Sequence, residues 1–148
     1  MSSTIHASAV LTGARAVLIR GPSGSGKSRL ALALLQAADR GALAFARLVA
    51  DDRAYVEAAH GRLLVRPAPA LAGLLEVNGL GVRRVSYEPL AVVGWVVDLG
   101  AEDAERLPSP KSRMAEVSGI RLPRLAVAVG VDPVPLVLAD LRTCKVET

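Results

Sequence analysis

The sequence predicts an α/β fold in which a mixed sheet, containing several antiparallel pairs, packs on one principal helix. Three observations carry that reading. Strand-like apolar segments outnumber helix-like ones. Neighbouring strand segments are separated by short turn signals, which suit antiparallel partners and leave no room for regularly alternating crossover helices. A glycine-rich stretch, residues 21–28, lies between an apolar run and a helix-compatible segment.

The elements follow in order. Residues 5–11 and 14–20 are apolar segments parted by Thr12-Gly13, a hairpin signal. Residues 29–38 (RLALALLQAA) read as the helix, closed by Asp39-Arg40-Gly41 with a glycine C-cap. Residues 43–50 read as a strand ending at Asp51-Asp52, and residues 54–59 and 62–66 as a hairpin around His60-Gly61. Pro67-Ala68-Pro69 breaks the chain, residues 71–75 suit a helical turn, and residues 76–85 form a loop around Asn78-Gly79-Leu80-Gly81. Residues 90–99 (LAVVGWVVDL) are a buried strand. Residues 101–106 are helix-compatible, 108–112 a loop, 122–129 a strand, and 134–141 a final apolar element of either type. No repeat or low-complexity linker divides the chain, so residues 1–148 are expected to form a single domain.

Residues 21–28 read Gly-Pro-Ser-Gly-Ser-Gly-Lys-Ser, a complete G-x-x-x-x-G-K-[ST] phosphate-binding loop. Its setting fits as well as its letters. The run Ala16-Val17-Leu18-Ile19 enters it as a strand and a helix leaves it, so successive N–H groups and the helix N-terminus converge on one point. Gly21, Gly24 and Gly26 let the backbone approach an anion closely. Pro22 stiffens the entry, and Ser23 and Ser25 complete the loop. Lys27 would reach the β- and γ-phosphates of a nucleoside triphosphate, and the Ser28 hydroxyl would sit on Mg²⁺. The motif alone does not name the acceptor: kinases, ATPases, GTPases and transporters share it.

Composition narrows the classes. Of the 148 residues, 51% are hydrophobic and only 3% aromatic, with mean hydropathy +0.38, so a compact aliphatic core is expected rather than disorder. No uncharged run approaches the roughly 20 residues of a membrane span. The opening MSSTIHASAV has no basic stretch ahead of a long apolar one, so neither signal peptide nor membrane association is expected and the cytoplasm is the natural location. A single cysteine, Cys144, excludes an intrachain disulfide framework and is read as a tail residue of no special role. The net charge is +4, but the arginines are scattered without a stacking set of aromatics, so nucleic acid is not the expected partner.

Phosphoryl transfer also needs metal ligands and a base. Asp51-Asp52, directly after the apolar Leu48-Val49-Ala50, is placed where carboxylates serve a loop on a neighbouring strand; a solvated acidic turn is the alternative. Glu76, His6 and Arg106 taken singly read as ordinary surface or hydrogen-bonded residues.

Taken together the segments are more specific. His6 on an early strand, GPSGSGKS at 21–28, LVADDR at 48–53, LLEVNGLGV at 74–82 and ERLP at 105–108 occur in one order. Over roughly residues 4–140 the chain resembles the C-terminal catalytic domain of the HPr kinase/phosphorylase family, with LVADDR and LLEVNGLG the discriminating pair. The resemblance implies a P-loop kinase fold of the phosphoenolpyruvate-carboxykinase-like kind. It implies ATP and Mg²⁺ as cofactors, and transfer of the γ-phosphoryl group to a serine of HPr, a small phosphocarrier protein of the sugar phosphotransferase system. Carried over residue by residue, Gly21 to Ser28 would hold ATP and Ser28 and Glu76 would ligate Mg²⁺. Asp52 would be the general base, Asp51 would support it or the metal, His6 would orient the aspartate, and Arg106 would offset charge on the transferring group. Residues 75–84 would match a loop needed in both reaction directions.

There are departures. The family's His-Gly is here His6-Ala7, and residues 128–133 (AVGVDP) lack the family's arginine there, so phosphate-dependent dephosphorylation is expected to be weak. The N-terminal regulatory domain and most of the C-terminal helical extension have no counterpart, as in the short form of some proteobacteria. The family forms hexamers, so a homo-oligomer is the implied state. The other readings the motif permits are a small-molecule kinase or plain NTPase, and an ATP-sensing module without transfer.

Overall fold

The computed structural model describes residues 2–143 and 146. Cys144 lies outside the described residues. The strands are β1 (Ser2–Ile5), β2 (Ala7–Leu11), β3 (Ala16–Arg20), β4 (Arg47–Ala50), β5 (Ala54–Ala59), β6 (Arg62–Pro67), β7 (Leu74–Val77), β8 (Gly81–Arg84), β9 (Ala91–Leu99), β10 (Met114–Val117) and β11 (Ile120–Val127); the helices are α1 (Lys27–Asp39) and α2 (Pro133–Arg142).

Nine strands form one mixed sheet in the order β1-β5-β6-β9-β3-β2-β4, with β11 on β9 and β10 on β11. The long β9 is the spine. It runs parallel to β3 and β11 and antiparallel to β6. Strand β2 is antiparallel to both β3 and β4, so β4 runs parallel to β3. The chain therefore leaves β3, β4, β9 and β11 at the same end of the sheet, which is where open α/β sheets hold ligands. Alternation along β3 sends Val17 and Ile19 to one face, against Leu30, Leu34 and Ala37 of α1 and Val137 of α2. Ala16 and Leu18 face the other way, into a cluster with Val56, Leu63, Val65, Val96 and Leu122. The α/β class and the mixed sheet stand as expected.

Local chemistry explains the boundaries. Helix α1 closes with a Schellman pattern: Gly41 N–H donates to the Ala38 carbonyl and Ala42 N–H to that of Ala37. The β5–β6 turn places His60 and Gly61 at φ 53° and 76°, and the β10–β11 turn places Ser118 and Gly119 at 51° and 80°; both are the positive-φ pairs that tight hairpins require. At Gly94 the β3–β9 register shifts between Ala16 and Val17, and a Cβ there would lie 2.7 Å from the Arg15 Cβ, so only glycine allows this approach.

Several expectations need correction. The segment 5–11 is two strands, because the chain bends at His6: β1 pairs with β5 while β2 pairs with β3. The strand expected at 43–50 is only β4, since Ala42 and Leu43 are drawn back to cap α1 through the Ala37 carbonyl. Residues 71–75 are not a helical turn; a short 3-10 turn, Pro69–Leu71, precedes β7. The loop expected at 76–85 is a β-hairpin, β7–β8, turning at Asn78-Gly79-Leu80. Residues 101–106 are irregular rather than helical, and the final apolar element is a helix, opened by Pro133 with Asp132 capping the Val134 N–H. Among the described residues no helix is long and apolar enough to cross a membrane.

Candidate active site

The phosphate-binding loop leaves β3 and enters α1 at Gly26, whose φ of 100° is strained for any residue with a Cβ. Gly21 is constrained by space. A Cβ there would lie 2.5 Å from Ser25 Oγ and 3.0 Å from both Cβ and the carbonyl oxygen of Leu99. The loop is thus pressed against the end of β9. Lys27 is 7% exposed, and its ammonium donates to the carbonyl oxygens of Gly21 (2.9 Å) and Pro22 (3.3 Å), which curls the loop about its own lysine.

Asp51, at the end of β4, is the junction of the site. It is 8% exposed and accepts three hydrogen bonds, from Ser8 Oγ (2.8 Å), Ser28 Oγ (2.7 Å) and the Glu76 N–H (3.0 Å). One carboxylate thereby ties β2, the start of α1 and the β7–β8 hairpin together. Such bonds to an ionised acceptor are the stronger kind. Asp52 follows with φ 64°, a left-handed conformation uncommon for aspartate, and its N–H donates to Ser8 Oγ at 3.1 Å. Ser8 is fully buried, so its hydroxyl both gives to Asp51 and receives from Asp52. Asp52 itself is exposed. Strained backbone held by its surroundings is typical of functional sites.

A cavity of about 480 Å³ opens over these residues. Ser23, Gly24, Gly26, Lys27 and Ser28 of the loop line it, with Asp52, Glu76 and Asn78 opposite. Arg29 adds a further cation from the first turn of α1. The structure thus brings the phosphate loop, Asp52 and Glu76 to one cavity and puts Asp51 beneath it. Exposed His6, at the β1–β2 bend, and exposed Arg106 do not line this cavity.

Arg106 lies in a segment pinned from the sheet. Arg20 on β3 and Arg124 on β11 both bind Asp98 on β9, Arg20 through paired bonds of 2.7 and 2.8 Å. Arg124 also reaches Asp103 and the Ser112 carbonyl, on either side of Arg106. Burial alone would raise the Asp98 carboxyl, but hydrogen bonds from Arg20 and Arg124 outweigh it and hold it below the ordinary carboxylate value. Asp103, and then Asp98, push the Arg124 guanidinium higher still, so it stays charged.

Among the described residues no group of three or more His, Cys, Asp or Glu side chains forms a metal nest. Mg²⁺ takes one or two protein ligands and completes its shell with water and substrate phosphates. The Ser28 hydroxyl and the Glu76 carboxylate, on the same cavity, fit that sparse role.

The sequence reading missed Ser8, Arg29 and the Arg20–Asp98–Arg124 chain, and gave Asn78 only as part of the loop at 75–84. Ser8 had a signal: it is the lone polar residue in the strand ASAVL. The arginines had none, because partners 78 and 26 positions apart meet only once the strands pair.

Comparison with known proteins identifies the family. Residues 1–88 match the family described as HPr Serine kinase C-terminal domain. An HPr kinase/phosphorylase of Streptococcus thermophilus is 36% identical over 125 residues, covering 76% of this chain and 38% of that protein. One from Geobacillus thermodenitrificans is 34% identical over 125 residues with the same coverage, so the chain spans about two-fifths of the length of these relatives. The structure of the Hpr(Ser) kinase/phosphatase from Coxiella burnetii superposes with a TM-score of 0.74 at 25% identity, covering 95% of this chain and 94% of that one. With the matched sequence running from β1 through the phosphate loop, Asp51-Asp52 and the β7–β8 hairpin, the chain belongs to the HPr serine kinase C-terminal domain family.

Proposed function

We propose that residues 1–148 form one catalytic domain that transfers the γ-phosphoryl group of ATP to a serine of an HPr-like phosphocarrier protein. The observation that carries this reading is the single cavity shared by the phosphate loop, Asp52 and Glu76. The family supplies the acceptor class.

The chain's own groups account for the chemistry. Backbone N–H groups of residues 21–28 and the α1 N-terminus hold the triphosphate. The Lys27 ammonium leaves its loop carbonyls for the phosphate oxygens, and Arg29 adds charge at the rim. Ser28 and Glu76 would hold a Mg²⁺ ion, which would supply further neutralisation of the phosphate oxygens. Asp52, exposed and turned into the cavity, accepts the seryl proton as the serine oxygen bonds to phosphorus and the bond to the ADP oxygen breaks. Asp51 acts through others: it fixes Ser28, Ser8 and the Glu76 backbone. His6 and Arg106 enter this scheme only as the resemblance supplies them. Phosphorolysis of the seryl phosphate is weak in this proposal, because residues 128–133 contain no arginine. A cytoplasmic location and a homo-oligomeric state belong to the same reading.

The test is incubation with γ-labelled ATP, Mg²⁺ and purified HPr-like protein. Acid-stable label on the carrier serine is expected, lost in Asp52→Asn with ATP affinity kept within about threefold, since a base adds roughly 10²–10⁴ to rate rather than to binding. Label appearing only as free phosphate would mark an NTPase, and bound but unconverted ATP a sensing module; either result overturns the proposal.

A further inference from the structure

The segment 101–113 leaves β9 beside the phosphate loop. A Cβ added at Gly100 would lie 3.6 Å from the Pro22 ring, and the Ala101 N–H donates to the Val127 carbonyl at 2.9 Å. Beyond that point the segment has little packing of its own. None of residues 101–113 is buried, and the 3-10 turn Lys111–Arg113 is its only helical or strand structure. Arg106 is exposed, and Leu107 is 74% exposed. Burial of apolar surface therefore does not fix its path.

One side chain of the sheet fixes it instead. The Arg124 side chain is only 13% exposed, and all three of its guanidinium nitrogens are engaged. Nε donates to Asp98 Oδ2 at 2.6 Å. Nη1 and Nη2 donate to the two Asp103 oxygens at 2.7 and 3.0 Å, and Nη1 also donates to the Ser112 carbonyl at 2.9 Å. Such a forked pair carries geometric specificity as well as energy, which an exposed single ion pair does not. Both ends of the segment are thus drawn to one planar group. Asp98 orients that group, and Arg20, the residue before Gly21, holds Asp98 from the other side. We propose that Arg124 is a positioning residue for phosphoryl transfer: it holds residues 101–113 fixed on the flank of the phosphate loop, so that the acceptor protein meets an ordered wall. The inference rests on the transfer reading above and adds to it a group that touches neither the nucleotide nor the acceptor.

The test compares wild type with Asp103→Ala, Arg124→Gln and the double variant. Asp103 is exposed, so its replacement keeps the test open should the loss of Arg124 unfold the sheet. Limited trypsin digestion of the folded protein is expected to cut after Arg106 or Lys111 about fivefold or more faster in each variant. Transfer from Mg·ATP to the purified HPr-like carrier is expected to fall about tenfold or more in kcat/KM for the carrier, with Kd for ATP kept within about twofold, because misplacement away from the reacting atoms costs rate. The double variant is expected to be no worse than the poorer single variant, since both changes release the same segment. Unchanged digestion or unchanged transfer in Asp103→Ala overturns the inference. Losses that multiply in the double variant would make Asp103 a direct contact of the carrier, and a parallel loss of ATP affinity would mark a general loss of structure; either result overturns it too. Absence of transfer by wild type overturns the transfer reading itself, and this inference with it.

Discussion

Replacing Ser8 by alanine tests the junction beneath the cavity most directly. The Ser8 hydroxyl gives one bond to the Asp51 carboxylate at 2.8 Å and takes one from the Asp52 N–H at 3.1 Å. The first is charge-assisted, worth about 1.5–3 kcal/mol, and leaving the Asp52 N–H without a partner costs about 1–3 kcal/mol more. Asp51 keeps its bonds from Ser28 and Glu76, and Asp52 is open to water, so the sum is reduced to about 2–4 kcal/mol. For a chain of this size a 3 kcal/mol loss lowers Tm by about 6–12 °C. Urea titrations followed by helix circular dichroism would measure it, with exposed Ser86→Ala as the control and Asp51→Asn completing a double-mutant cycle. A coupling energy of about 1 kcal/mol or more between Ser8 and Asp51 is expected. The same variant should lower kcat for transfer more than it raises KM for ATP, because Asp52 loses its hold. A stability loss under about 0.5 kcal/mol, in the range of inert surface changes, with no coupling to Asp51, would refute the argument.

Three further outcomes are expected. Lys27→Ala should cut transfer by at least about a hundredfold, the cost of one oriented charge donor, with an unchanged circular dichroism spectrum; near-normal transfer would remove the phosphate loop from the mechanism. Gly21→Ala should weaken ATP binding about tenfold and destabilise by about 1–3 kcal/mol through overpacking against Leu99, as read by calorimetry and urea titration; wild-type behaviour in both would show that the loop can step away from β9. Asp98 ionises below the ordinary carboxylate value in the fold, so the folded state binds fewer protons, and its stabilisation is present above about pH 4 and lost as pH falls through the lowered value. Asp98→Asn should therefore flatten the acid limb of the stability–pH curve, and an unchanged acid limb would contradict the Arg20–Asp98–Arg124 account.

Much of this was legible in the sequence because the signals are local. The phosphate loop carries its own glycines and lysine, the α1 terminus its Gly41, and the β5–β6 hairpin its His60-Gly61 pair. What was misread depends on tertiary context. Residues 76–85 look like a loop because Asn78 and two glycines dominate them, yet Leu75 just before them is fully buried and the Glu76 N–H binds Asp51, which holds the segment as a hairpin. The split at His6 is invisible locally, since which partner each half takes is decided by β5 and β3, far away in sequence. Residues 101–106 have helical composition, but Arg124 fixes Asp103 and Ser112 in an irregular path instead. Among site residues, Asp52 was accessible from its place at the end of an apolar strand, Glu76 through the family resemblance, and Ser8 only through its oddness in an apolar strand.

The three donors gathered by Asp51 come from chain positions 43, 23 and 25 residues away. No shorter fragment holds that knot: it closes only once β2, β4 and the β7–β8 hairpin have all docked, so on the proposed function nucleotide turnover is expected to be among the last properties a refolding chain acquires. By the same logic it is the first to be shed. Loss of the small hairpin would remove the Glu76 N–H from the carboxylate, so on the proposed function partial denaturation is expected to lower turnover before the helical signal fades.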